Sequence, residues 1–159
     1  MKILIFSDSH GRSNNIIKTI SLHTDAKYIF FLGDGDKDIT AAKDKFPSMI
    51  FYCVRGNNDF YSDEPDTREV NLCGHKVFMA HGHTMGVKYG LERIISEAIK
   101  RKSDIVLFGH THEKYYEYTD DSMYVFNPGT CGEGYFGHNS FGILTIDEKN
   151  VLFSFGEIL

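Results

Sequence analysis

Five apolar runs in this chain stop in the same way, and that repetition is its strongest constraint. Lys2-Ile3-Leu4-Ile5-Phe6 gives way to Ser7-Asp8-Ser9-His10, and the run 28–32 gives way to Gly33-Asp34. Run 49–54 leads into Gly56-Asn57, run 76–80 into His81-Gly82, and run 105–108 into Gly109-His110-Thr111-His112. Each run has the length and content of a strand, and the continuous ones read as strands buried on both faces. In open α/β sheets, ligands bind in the crevice beyond the carboxyl ends of the strands. The pattern therefore predicts that all five endings meet at one edge. A small residue adjoins each ligand type, and where it is glycine the backbone can turn sharply and come close to what is bound.

The side chains that would meet there are Asp8, His10, Asp34, Asn57, His81, His110 and His112. Seven donors exceed the four of an ordinary zinc site. They suit two divalent ions sharing a carboxylate. Mixed imidazole, carboxylate and amide donors favour Mn, Fe, Zn, Co or Ni over Ca or Mg, and Mn is the leading expectation. Paired ions of this kind recur in phosphate-ester hydrolysis.

Between these runs the chain reads as alternating elements. Ser13, Asn14 or Asn15 could cap a helix whose apolar face includes Ile16, Ile17, Ile20 and Leu22. A shorter helix is expected over 38–45 and an amphipathic one over 89–102. Hairpins are expected around Cys73-Gly74-His75 and across 119–122, with final strands at 141–146 and 151–155. Early strand–helix alternation argues for parallel pairing, and later hairpins for antiparallel additions. The predicted fold is α/β: a four-layer α/β/β/α sandwich of two mixed sheets with flanking helices.

With 159 residues and no linker or repeat, one domain over 1–159 is expected. The net charge of −5 comes without any Lys/Arg block, so a long nucleic acid is not an expected partner. Cys53, Cys73 and Cys131 are odd in number and form no Cys-x-x-Cys pair, which fits reduced thiols. No segment has the apolar length of a membrane span, and no secretory h-region opens the chain. A cytoplasmic protein without a membrane partner is the expectation. Oligomeric state is not legible from the sequence.

Asp8-x-His10, Gly33-Asp34, Gly56-Asn57, His81-Gly82 and Gly109-His110-x-His112, in that order, resemble the five-part signature of the calcineurin-like metallophosphoesterases. The length, the turn Asn127-Pro128-Gly129-Thr130 and the compact tail look like the small YfcE-type phosphodiesterase subgroup. The resemblance implies that Asp8, His10 and His112 bind one metal, that Asn57, His81 and His110 bind a second, and that Asp34 bridges them. It further implies attack on a small phosphodiester by hydroxide held between the metals. Many relatives carry His after Gly-Asn, on the leaving-group side; here Asn58 stands there. An amide can donate a hydrogen bond but cannot deliver a proton near neutral pH, so esters with acidic leaving groups are the expected substrates.

Other readings compete. A phosphomonoesterase is a near alternative, and a non-catalytic interaction module on the same fold a more distant one. Asp36 and Asp38 rival Asp34 as the bridging acid, and His83 rivals His81. Asp59 reads as a loop cap more readily than as an orienting residue. Arg12 and Arg55 could reach a phosphate, although a solvated or paired guanidinium is the commoner case. Asn127 reads as a residue that fixes the turn behind the site.

Overall fold

The computed structural model describes all 159 residues, apart from the side chain of Tyr135. Five strands form a first sheet: β1 (Lys2–Phe6), β2 (Tyr28–Phe31), β3 (Ile50–Cys53), β9 (Asn139–Ile146) and β10 (Val151–Ile158), in the order β10-β9-β1-β2-β3. The second sheet contains β4 (Thr67–Leu72), β5 (His75–Ala80), β6 (Ile105–Leu107), β7 (Lys114–Tyr118) and β8 (Tyr124–Pro128), in the order β4-β5-β6-β8-β7. Strands β1, β2 and β3 run parallel, as do β5, β6 and β8. Both sheets gain antiparallel edges from the hairpins.

The period-2 geometry of a strand divides each apolar run between two cores. Ile3 and Ile5 face the second sheet, where they join Phe30, Val77, Met79, Ile105, Leu107 and Phe126. Leu4 and Phe6 face outward and pack with α1 (Ser13–Leu22) and α2 (Asp36–Lys45) through Ile16, Ile20, Ile39 and Ala42. On the far side, Phe78, Val106 and Val125 receive Ile94 and Ala98 of α3 (Glu92–Lys100). The layers are therefore α/β/β/α. The β1 and β2 runs read as continuously apolar because each has a core on both sides.

Three local expectations differ from the structure. The residue before α1 is Arg12, and no side chain caps that helix. Asn15 instead donates to the Cys131 carbonyl at 2.6 Å. Leu22 lies 74% exposed at the helix end, past the last turn that meets the sheet. Strand β3 is an edge strand, so only Cys53 in it is fully buried. Its apolar run suggested burial on both faces, but an edge position leaves Ile50 open. The β4–β5 turn behaves as its chemistry dictates. Cys73 and Gly74 both have positive φ, 51° and 84°, the twist that a two-residue hairpin needs.

Candidate metal centre

Parallel pairing puts the carboxyl ends of β1, β2 and β3 at one edge of the first sheet. It puts those of β5, β6 and β8 at one edge of the second. The two edges are tied together. Cys131 N–H donates to the Ser7 carbonyl at 2.9 Å, and Thr130 Oγ1 donates to the Asp8 carbonyl at 2.7 Å. All seven expected donors lie on the loops that leave these strands.

Two glycines set how close the loops come. A Cβ on Gly33 would meet the Gly56 nitrogen at 2.5 Å, and a Cβ on Gly56 would meet Asp34 Oδ1 at 2.0 Å. The loops after β2 and β3 therefore touch backbone to backbone. Strain gathers at the same place. Asp8, His10, Asp34, His110 and His112 all have φ between 43° and 69°, a left-handed conformation rare for residues with a Cβ.

Two groups of donor atoms result: Asp8, His10 and His112; and Asp8, Asp34 and His81. In the first, His10 Nε2 and His112 Nε2 lie 3.3 Å apart, and His112 Nε2 is 3.2 Å from Asp8 Oδ1. In the second, His81 Nε2 is 3.1 Å from Asn57 Oδ1, 3.5 Å from Asp34 Oδ2 and 3.8 Å from Asp8 Oδ1. His81 donates through Nδ1 to the Leu32 carbonyl at 2.7 Å, which aims Nε2 at those three oxygens. Asp34 Oδ2 also lies 3.8 Å from His10 Nε2, so either acid touches both groups.

These atoms fit divalent cations. Asp8 is buried, and its Oδ2 is satisfied by Ser7 Oγ at 2.5 Å and His110 N–H at 3.0 Å. Its Oδ1 is buried without a hydrogen bond. A buried carboxylate oxygen is normally satisfied, and this one points among histidine nitrogens. Burial opposes ionisation of Asp8, yet contacts with His10, His112, His81 and Ser7 hold its carboxyl well below the usual carboxylate range. Asp34 is likewise held low against burial, by His81 and Asn58. His81 is raised, because both acids outweigh its burial. His110 moves the other way: burial, then His81 and Lys88, push it down to about 4, which leaves a neutral imidazole.

His110 belongs to neither three-residue group. Its ring lies 5.0 Å from that of His81, centroid to centroid. His83 sits 5.4 Å from His81 and is half-buried; its Nδ1 has no hydrogen bond. Asn58 donates twice to Asp34, from its backbone N–H at 2.8 Å and from Nδ2 at 2.6 Å. Arg55 pairs with Asp66 at 2.7 Å.

A set of buried side chains braces the loops. Asp59 accepts four backbone N–H groups, those of Asp34, Gly35, Asp36 and Gly56, at 2.7 to 2.9 Å. Asp38 accepts from Ser9 Oγ at 2.6 Å and Gly11 N–H at 2.8 Å. Asp36 accepts from Ser62 instead. Asn127 donates to the Gly109 carbonyl and to Thr111 Oγ1, both at 3.0 Å, and accepts from Gly129 N–H. The sequence pointed to Asn127 behind the site, but it gave no signal for Asp38 as a brace or for Glu133, 3.9 Å from His10. Beside the donors opens a cleft of about 430 Å³, walled by His10, Asp34, Asn58, Phe60 and Tyr61.

The Bacillus subtilis probable metallophosphoesterase YsnB is 31% identical over 113 residues, covering 70% of this chain and 64% of its own length. A phosphodiesterase of Methanocaldococcus jannaschii is 31% identical over 165 residues, covering 94% of this chain and 95% of its own. Among solved structures, a predicted phosphoesterase from Streptococcus pneumoniae superposes with a TM-score of 0.80 at 22% identity, over 97% of this chain and 87% of its own. The zinc complex of Vps29 from Entamoeba histolytica superposes with a TM-score of 0.76 at 18% identity, over the whole of both chains. Among the described residues, no helix is long and apolar enough to cross a membrane. The model of the calcineurin-like phosphoesterase superfamily domain matches residues 1–149, and with the donor groups in place the chain belongs to that superfamily.

Proposed function

We propose that this chain is a phosphodiesterase dependent on two divalent cations, manganese first among them, and that it hydrolyses small phosphodiesters. The observation that supports this most directly is the buried, unbonded Oδ1 of Asp8, to which both donor groups converge. Asp8, His10 and His112 would hold one cation. Asn57 and His81, with Asp34 and the neighbouring His110, would hold the other. Cations bound there would lower the pKa of water and offset negative charge on a phosphoryl group.

The chain's own residues fix the remaining conditions. The Leu32 carbonyl orients His81 through Nδ1, so its Nε2 keeps one direction without reorganisation. Asn58 holds both oxygens of Asp34 and lines the cleft. Its amide cannot protonate a leaving oxygen near neutral pH, so diesters of acidic alcohols are the better substrates. The homologue named as a phosphodiesterase, aligned over 94% of this chain, favours diester over monoester cleavage.

Hydrolysis of bis(p-nitrophenyl) phosphate, with and without manganese after exhaustive chelation, tests the reading. Activity is expected to vanish on chelation, to return with manganese, and to be lost in Asp34→Ala and in His81→Ala. Full activity in the chelated protein sinks the proposal.

A further inference from the structure

The loop that follows Asn58 presents two aromatic rings where a folded chain would ordinarily hide them. Phe60 is 79% exposed and Tyr61 is 99% exposed, yet both line the cleft that contains His10 and Asp34. The backbone beneath them is fixed on either side. Asp59 is buried with four N–H partners, and Ser62 donates from its N–H to the Asp59 carbonyl at 3.2 Å and from Oγ to Asp36 at 2.7 Å. Further along, Glu64 pairs with Lys43 at 2.7 Å and with Arg68 at 2.9 Å. The rings therefore stand on a braced loop, with little backbone left to order when a ligand arrives.

We propose that Phe60 and Tyr61 form a stacking shelf for the organic group of the diester, and that the preferred substrates are nucleoside phosphodiesters. This rests on the phosphodiesterase reading above and adds the substrate class. The phosphoryl group is placed at the donor cluster, so the group esterified to it extends along the same cleft. A flat, π-faced group such as a nucleobase matches two exposed rings, because stacking tolerates any base and needs no hydrogen-bond code. An alkyl group would leave that surface in water.

Two esters with one leaving group separate this from the chemistry: the p-nitrophenyl ester of thymidine 5′-monophosphate and methyl p-nitrophenyl phosphate, each at saturating manganese. The expected kcat/KM ratio favours the nucleoside ester by about tenfold or more, since stacking on an aromatic residue contributes on that order per base. In Phe60→Ala/Tyr61→Ala the ratio is expected to fall towards one. A ratio near one in the wild type, or one that survives the double substitution, overturns the shelf. If neither ester is cleaved, the phosphodiesterase reading has failed, and binding alone decides the shelf. Calorimetric titration with adenosine 5′-monophosphate and with ribose 5-phosphate is then expected to show the nucleotide bound about tenfold tighter, a difference the double variant loses. Equal affinities overturn it, and leave the two rings as a contact for another protein.

Discussion

Asp59→Asn is the change that most directly tests how the site is held. Each carboxylate oxygen of Asp59 serves two donors: Oδ2 takes the N–H groups of Asp34 and Gly56, and Oδ1 those of Gly35 and Asp36. An amide presents one oxygen and one NH2. Whichever way it turns, two backbone N–H groups then face a donor. A hydrogen bond to a charged group contributes about 1.5–3 kcal/mol, so losing two costs roughly 3–6 kcal/mol. The side chain is only 8% exposed, so water recovers little of this. Stabilities of whole domains are about 5–15 kcal/mol. For a chain of this size each kcal/mol moves Tm by about 2–4 °C, so a fall of roughly 6–24 °C is expected. Thermal and urea unfolding of the cation-free protein measure it without reference to activity. A variant within about 3 °C of wild type, with an unchanged urea m-value, would refute the view that Asp59 clamps the two loops together.

The other predictions follow from the same contacts. In Gly56→Ala the new Cβ would lie 2.0 Å from Asp34 Oδ1 and 2.5 Å from the Asp34 nitrogen; since one of these is backbone, the variant is expected to lose most of its manganese-induced stabilisation in thermal shift. Manganese at about a hundred times Kd should stabilise the wild type by about 2.7 kcal/mol per site, or several degrees in Tm, and Asp8→Ala, which removes an acid common to both donor groups, should abolish the shift. Burial pushes the Cys53 thiol up to about 12 and raises that of the buried Cys131 further; thiolates are the reactive form, so a disulfide reagent at pH 8 should modify only Cys73 in the native protein and all three thiols after unfolding. Asn127→Ala unpins Gly109, Thr111 and Gly129 at once, and a loss of about 2–4 kcal/mol is expected by denaturant titration.

What the sequence made legible was the part written in local pattern. The β1 and β2 runs are apolar throughout because each strand meets a core on both faces, so run and ending could be read together. The candidate donors lie in those endings. Strand β3 misled because an apolar run does not say whether a strand is at an edge. The braces were harder to see for a different reason. Asp38 lies in the first turn of α2 and bonds the loop after β1 through Ser9, 29 residues away. Nothing in the neighbourhood of Asp38 distinguishes it from an ordinary acid at a helix start, where the dipole favours one anyway. Asp59 was visible as turn chemistry, but the identity of its four partners depends on β2 and β3 being adjacent.

Donors and braces are linked through the backbone. Five of the expected donors adopt left-handed φ, which costs about 1–2 kcal/mol per residue for an ordinary L-residue, with Asp and His towards the low end. Taken together, that is roughly 5 kcal/mol, comparable to the whole stability of many domains. It is sustained because the same loops are bonded by side chains outside the candidate donor groups. Asp59 holds the loop of Asp34, Asp38 the loop of His10, Asn127 the loop of His110 and His112, and Thr130 the Asp8 carbonyl. The strain points the donors inward, and the braces keep the loops from relaxing out of it. Substitutions in the two sets should therefore separate. Replacing His10 or His112 removes a candidate ligand and little of the bracing, so cation binding is expected to fall while the cation-free protein melts near its wild-type temperature. Replacing Asp59 or Asn127 weakens the cation-free fold first, and cation binding falls as a consequence.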